Sequence, residues 1–172
     1  VQTRPIHAVF AGHTHYGQMA NDAHTVYVAT RSIGEPEGGA AGYSVVTLAD
    51  DTLAVTYRTM EDVGPLVQIV DPRRSILATT ASHIVTGPTT CRVRTWSASA
   101  IASVQGRLDD GDAFPLTRGT DECWHAPIAG GALAKGEHTL EISAVDVDGV
   151  TGAERIAFMA DRSGRFNPVP AV

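Results

Sequence analysis

Residues 136–149, GEHTLEISAVDVDG, indicate the fold most clearly. Leu140, Ile142 and Ala144 are small or apolar, and the residues between them are polar. Because successive side chains of a β-strand point to opposite faces, this period of two predicts a strand with one buried face. The Asp-Gly pair that closes the stretch is a turn signal. We therefore predict a half-buried strand over residues 137–147.

Short apolar runs bounded by turn residues recur over residues 63–162. Seven or eight of them in about 100 residues are typical of an immunoglobulin-like β-sandwich. Trp124, Ala126 and Ile128 share one predicted face, which should point into the core. The strands are predicted at residues 66–70, 76–85, 91–96, 101–108, 113–116, 124–128, 137–147 and 155–159.

The first 62 residues carry a second group of predicted strands. They lie at residues 7–11, 25–30, 43–48 and 53–59, the last two as a hairpin. Turn residues around 61–65 interrupt the pattern, which places a domain boundary there. We thus predict a mainly β protein with domains at residues 1–62 and 63–162 and a tail at 163–172, expected to fray.

Composition excludes some partners. The 172 residues carry a net charge of -6, and no basic run is longer than Arg73-Arg74. This leaves no electrostatic footprint for nucleic acid or an anionic membrane. No apolar run approaches the roughly 20 residues that a membrane span requires, so none is expected.

One motif suggests chemistry. An apolar run over residues 6–11 leads to a cluster of glycine, histidine and polar residues. On an extended chain, imidazoles at i and i+2 lie on one side with roots about 6.5 Å apart, so they can serve two metal ions, one each. A structural pair of histidines is the alternative. The cluster consists of Gly12, His13, Thr14, His15, Tyr16, Gly17 and Gln18.

G-H-T-H after a hydrophobic strand, with Gly-Gln soon after and a strand, loop and hairpin downstream, resembles the last conserved motif of calcineurin-like metallophosphoesterases. The resemblance covers residues 6–59 and implies the closing strands of that family's β-sandwich. It further implies that His13 and His15 each ligate one of two divalent or trivalent ions, such as Mn, Fe or Zn, for hydrolysis of a phosphate ester. Gly12, Tyr16, Gly17 and Gln18 would lie beside the centre.

The chain departs from the family pattern. The motifs D-x-H, G-D-x-x and G-N-H-D/E, which carry the bridging Asp, an Asn and the His that assists the leaving group, do not precede the G-H-T-H. Asp22-Ala23-His24 spells D-x-H but follows it. We therefore expect a C-terminal fragment that is inactive alone and has an N-terminal catalytic segment as its partner.

Some bacterial enzymes of this family carry an immunoglobulin-like or fibronectin-like module after the catalytic domain, and residues 66–161 resemble one. The alternative function is a non-enzymatic β-sandwich module for protein or carbohydrate contact. Trp96 and Trp124 could form a sugar platform, but one Trp per strand of a sandwich more often belongs to the core. We predict both in the core.

The remaining histidines and the two cysteines are expected to be structural. Alternation predicts that Cys91 points inward and Cys123 outward, which would keep them unbridged. The histidines without metal-ligand spacing are expected to be exposed or hydrogen-bonded. They are His7, His83, His125 and His138.

Overall fold

The computed structural model describes residues 6–13, 15–34, 37–49 and 51–171. It is mainly β, as predicted. Five strands precede residue 60 and form a three-stranded sheet in the order β1-β3-β2 and a two-stranded hairpin, β4-β5. Their bounds are Ala8–Ala11 (β1), Gln18–Asn21 (β2), Val26–Ala29 (β3), Gly42–Ala49 (β4) and Thr52–Thr59 (β5).

Eight further strands form two facing four-stranded sheets. The sheet orders are β10-β11-β7-β6 and β13-β12-β8-β9. This arrangement is the pairing order of an immunoglobulin-like sandwich, which confirms that prediction. The strands span Leu66–Asp71 (β6), Thr89–Trp96 (β7), Ile101–Leu108 (β8), Ala113–Pro115 (β9), Thr117–Arg118 (β10), Trp124–Ile128 (β11), Gly136–Asp146 (β12) and Thr151–Ala160 (β13).

The sandwich core follows from the alternation in β12. Leu140, Ile142 and Ala144 are completely buried, as is Phe158 of β13 on the neighbouring strand. Each buried aliphatic side chain contributes roughly 1.5–3 kcal/mol of transfer free energy. Burial of this one face therefore stabilises the pairing of β12 with both of its neighbours.

β6 is buried on both faces. Val67 and Ile69 point into the sandwich core. Gln68 faces the hairpin and is completely buried, where its Nε2 donates to the carbonyl of Val45 at 2.9 Å and its Oε1 accepts the hydroxyl of Thr47 at 2.5 Å. Because both ends of this buried amide are satisfied, β6 can carry a polar residue between two packed layers.

Glu154 forms a second buried polar contact between the hairpin and the sandwich. Its carboxylate accepts the hydroxyl of Thr56 at 2.6 Å, the backbone N–H of Ile69 at 2.5 Å and the guanidinium of Arg74 at 3.1 Å. Burial raises the pKa of Glu154, and the three donors oppose that rise. The carboxylate thus joins β5, β6 and β13 at one point.

The strand predicted at residues 76–85 is wrong. This segment holds two short 3-10 helices, Ser75–Leu77 and Ala81–His83. Leu77 packs against Val26 and Val28 in the core of the first sheet, whereas Val85 belongs to the sandwich core. A single straight strand cannot send its apolar residues to two separate cores, so the chain bends between them.

Two further side chains differ from their predicted positions. Cys91 is completely buried, as predicted. Cys123 was expected to point outward but is buried too. It precedes β11 and follows Glu122, whose φ of 64° interrupts the alternation of side chains. Both cysteines are free, as expected. Trp124 packs against the core, whereas Trp96 is 42% exposed on the outer face of β7, so its predicted core position is wrong.

The tail was expected to fray, but at Ala171 it is paired. The backbone N–H of Asn21 donates to the carbonyl of Ala171 at 2.9 Å, and the N–H of Ala171 donates back at 3.0 Å. This bridge extends the edge of β2. β5 ends at Thr59 and β6 begins at Leu66, and the domain boundary between them stays a prediction.

We predict that Glu154→Ala lowers the free energy of unfolding by about 2–3 kcal/mol, because it leaves three buried or half-buried donors without their acceptor. Urea denaturation measures this loss. Glu141→Ala is the matched control, since Glu141 is an exposed glutamate on the same sheet, and it should change stability by less than about 0.5 kcal/mol. Equal effects for the two variants would contradict the role assigned to Glu154.

Candidate functional site

The two candidate metal ligands lie in residues 12–17, called the histidine loop below; Thr14 falls outside the described residues. The loop follows β1, which runs parallel to β3 in the register Ala8 opposite Val26. The carboxyl ends of β1 and β3 therefore lie at the same edge of the sheet. The sequence predicts a turn here because Gly12 ends the apolar run.

His13 and His15 do not lie on extended chain. Their φ angles are 84° and 57°, in the left-handed region that non-glycine residues rarely adopt. The expected i, i+2 geometry of a strand is therefore wrong, and the chain turns at each histidine. His13 is exposed and His15 half-buried. Backbone conformations of this kind cost of order 1–3 kcal/mol and cluster at functional sites.

A second loop, residues 30–41 without the undescribed 35 and 36, holds the histidine loop in place. The N–H of Glu37 donates to the carbonyl of His15 at 2.8 Å, and the N–H of Thr30 donates to the carbonyl of Ala11 at 3.3 Å. These contacts attach the chain after β3 to both ends of the turn that carries the histidines.

The second loop is itself fixed by Arg31. Its guanidinium lies 5.1 Å from the centre of the Tyr57 ring and donates to the carbonyl of Ala40 at 3.3 Å. The Tyr57 hydroxyl donates to the same carbonyl at 2.7 Å. A Cβ at Gly39 would lie 2.5 Å from Nη1 of Arg31, and the φ of Gly39, 138°, is one that residues with a side chain rarely adopt. Sequence analysis missed this support, since an Arg and a distant Tyr form no local motif.

The residues expected beside the metals surround the turn. Tyr16 is 40% exposed, and Gln18 is the first residue of β2. Gly12 and Gly17 have no left-handed φ, and a Cβ at either would meet no atom within 4 Å. The histidines, not the glycines, adopt the unusual conformations.

Within residues 6–13, 15–34, 37–49 and 51–171, no three His, Cys, Asp or Glu side chains are grouped as a metal site. His13 and His15 thus remain a pair of imidazoles. Two neutral nitrogens suit Mn, Fe or Zn as donors. They cannot offset the repulsion of two cations about 3.5–4 Å apart, which needs a bridging carboxylate.

The D-x-H sequence at Asp22 forms a turn at the other end of β2. One carboxylate oxygen of Asp22 accepts the N–H groups of His24 at 2.9 Å and Thr25 at 2.7 Å, and the other accepts the hydroxyl of Tyr27 at 2.8 Å. These donors lower the pKa of Asp22, the Thr25 N–H most of all. The four residues of β2 lie between this turn and the histidine loop, a strand length of about 13 Å.

Three other histidines each pair with an aspartate, in agreement with a structural role. Their ring nitrogens lie 2.8–3.2 Å from a carboxylate oxygen. Asp109 additionally accepts the N–H of Thr139 at 2.8 Å and raises the pKa of its histidine partner. The pairs are His83 with Asp51, His125 with Asp121 and His138 with Asp109.

β1, the strand that leads into the histidine loop, has an open edge. Among the described residues it pairs with β3 alone. Val9 and Phe10 point to opposite faces, and both are exposed, by 37% and 47%. Native proteins protect such edges with charges, proline or a covering element, and this apolar strand has no charge or proline. The edge is thus suited to pair with a further strand.

Among the described residues, no helix has the length and apolar character needed to cross a bilayer.

The chain matches no protein-family model and no curated protein. It is similar to part of an endo-beta-1,4-mannanase from Thermotoga petrophila, with a TM-score of 0.45 and 11% identity over 58% of this chain. An engineered protein gives a TM-score of 0.43 and 23% identity over 56%. The chain spans about a fifth of the length of each.

The left-handed φ of His13 leads to a prediction on stability. His13→Gly should raise the free energy of unfolding by up to about 1 kcal/mol, because glycine adopts this conformation without a Cβ clash. Denaturant titration measures the gain. His7→Gly is the control: His7 is exposed and has no positive φ, so glycine there should bring no gain. A loss of stability in His13→Gly would show that contacts of the imidazole contribute more to stability than relief of the left-handed backbone conformation.

Proposed function

We propose that this chain contributes two ligands, His13 and His15, to a dinuclear metal centre that hydrolyses a phosphate ester. Another polypeptide segment provides the remaining ligands. The observation that carries the proposal is the placement of His13 and His15. They follow the carboxyl end of β1, a parallel strand whose other edge pairs with no strand of the described residues. The sandwich of β6–β13 is then an accessory domain.

The chemistry of the donors supports this function. Neutral imidazoles bind the metals common in hydrolases, and one imidazole per ion matches two histidines on successive turns of one loop. When bound, the two ions activate a water molecule for in-line attack on phosphorus. His13 and His15 would hold the ions, and the backbone contact from Glu37 would orient His15.

The missing groups define the partner segment. The resemblance to calcineurin-like metallophosphoesterases assigns it the bridging Asp, an Asn and the His that assists the leaving group. An additional strand from this segment would pair with the open edge of β1 and cover Val9 and Phe10. If that strand runs parallel to β1, its carboxyl end lies beside the histidine loop, where those ligands are needed.

A second candidate function is that of an interaction module. The sandwich has its own core of Leu140, Ile142 and Phe158, which includes no residue of the histidine loop. Its outer face also exposes Trp96. In this alternative the histidine pair is structural, and β6–β13 make contact with a protein or a carbohydrate.

We predict that the isolated 172-residue chain does not hydrolyse an aryl phosphate in the presence of manganese, because two imidazoles without a bridging carboxylate cannot assemble the ion pair. Release of the aryl alcohol is the measurement. Turnover that disappears in His13→Ala would contradict the view that this chain holds an incomplete site.

In a protein that joins this chain to the other ligands, His15→Ala should lower kcat/KM by orders of magnitude, because one ion loses a ligand. Its melting temperature should change little, since the side chain is not part of the core. His24→Ala is the matched control and should retain activity. Near-normal turnover of His15→Ala at saturating metal would remove His15 from the ligand set.

A further inference from the structure

A groove of about 530 Å³ lies between the β4-β5 hairpin and the sandwich sheet. We call it the aromatic groove. The hairpin overlies β6 and reaches β7 at Arg92, whose guanidinium donates to the hydroxyl of Thr52 at 3.2 Å. The exposed end of β7 at Trp96 forms one wall of the groove, and the hairpin forms the other. Its volume is within the range of small-ligand sites, about 300–1,000 Å³. Its main lining residues are Tyr43, Val45, Arg58, Leu66, Trp96 and Ser97.

Two aromatic side chains of equal exposure line this groove. Tyr43 is 41% exposed and Trp96 is 42% exposed. Trp96 faces outward because Cys91 and Val93, of opposite parity in β7, fill the core. Within the described part of the chain, neither the indole Nε1 of Trp96 nor the hydroxyl of Tyr43 has a hydrogen-bond partner. Each ring therefore offers an apolar face and an unused polar atom.

Arg58 is the charged residue of the described lining, and its position is fixed. Its Nη2 donates to the carbonyl of Asp62 at 2.7 Å and to that of Gly64 at 2.6 Å. No carboxylate among the described residues pairs with it. No Asp or Glu is among the described residues that line the groove, so no carboxylate of the lining neutralises this guanidinium. Charge complementarity favours an anionic group at this position.

We propose that the aromatic groove binds an acidic saccharide, with sugar rings stacked on Trp96 and Tyr43 and a carboxylate on Arg58. Sugar rings have apolar C–H faces that pack on aromatic rings and hydroxyl groups that can use the free indole N–H and phenol hydroxyl. A guanidinium forms charge-assisted hydrogen bonds with a uronate carboxylate. The site is separate from the histidine loop and does not depend on the function proposed for it.

The two tryptophans of the chain make the test direct. In a Trp124→Phe variant, Trp96 is the sole tryptophan, and its emission should change saturably on titration with a uronate trisaccharide. The probes are trigalacturonate, a mannuronate trimer and a glucuronate-containing tetrasaccharide, with neutral cellotriose as the uncharged comparison. At least one acidic probe should bind about tenfold more tightly than cellotriose, and its affinity should fall with added salt.

Calorimetry on the unmodified chain and single variants locates the site without relying on fluorescence. Trp96→Ala and Arg58→Gln should each weaken binding of the acidic probe about tenfold or more. Tyr27→Ala is the matched control, because Tyr27 is also 42% exposed but lies on the distant three-stranded sheet. Its affinity should equal that of the unmodified chain. Melting temperatures establish that each variant is folded.

Four results would overturn the proposal. The first is the absence of binding by every acidic probe to the unmodified chain. The second is equal affinity for cellotriose and the acidic probes, which would remove the role of Arg58. The third is binding that Trp96→Ala leaves unchanged, which would place the ligand elsewhere. A Trp96 response to peptides alone would likewise replace the saccharide with a protein partner.

Discussion

The structure depends on β6 being buried on both faces. One face supplies Val67 and Ile69 to the sandwich, and the other supplies Gln68 to the hairpin. A strand in this position must satisfy every polar group it buries, since an unpaired buried amide or carboxylate costs about 1–3 kcal/mol or more. Gln68 and Glu154 meet that requirement with partners from three different elements. They therefore determine where the hairpin lies on the sandwich.

The position of the hairpin then determines the rest. The face of the hairpin that points away from the sandwich packs on β3. β5 therefore sets the position of the three-stranded sheet, and of the histidine loop at the edge of that sheet, relative to the sandwich. The same placement leaves the Trp96 end of β7 exposed and forms the aromatic groove. A change at Gln68 or Glu154 would thus act on two distant surfaces at once.

Alternation in the sequence predicted the sandwich because strands such as β12 bury one face in a single core. It failed where a segment serves two cores, as at Leu77 and Val85, and where a residue lies just outside a strand, as at Cys123. β2 was missed because its sequence, QMAN, has polar residues at both ends and no β-branched residue. Trp96 was misassigned because its core position was inferred from the usual place of tryptophan in a sandwich, whereas the alternation that turns Cys91 inward turns Trp96 outward.

At the candidate site, the sequence identified His13 and His15 but not their surroundings. Glu37, Arg31 and Tyr57 are far apart in the chain and meet only through tertiary contacts, so no local pattern indicates them. The left-handed backbone at both histidines was also unpredicted, because glycines stand beside them and are the usual residues for such turns.

Cys91 gives the sandwich a built-in reporter of its own opening. Burial raises the pKa of its thiol to about 12. Roughly one thiol in 10⁵ is then ionised at pH 7, and even that fraction is shielded by the core. Modification by a thiol reagent must therefore wait for β7 to separate from its neighbours. The rate at which Cys91 reacts, separated from that of Cys123 by peptide mapping, measures how often the core exposes its interior.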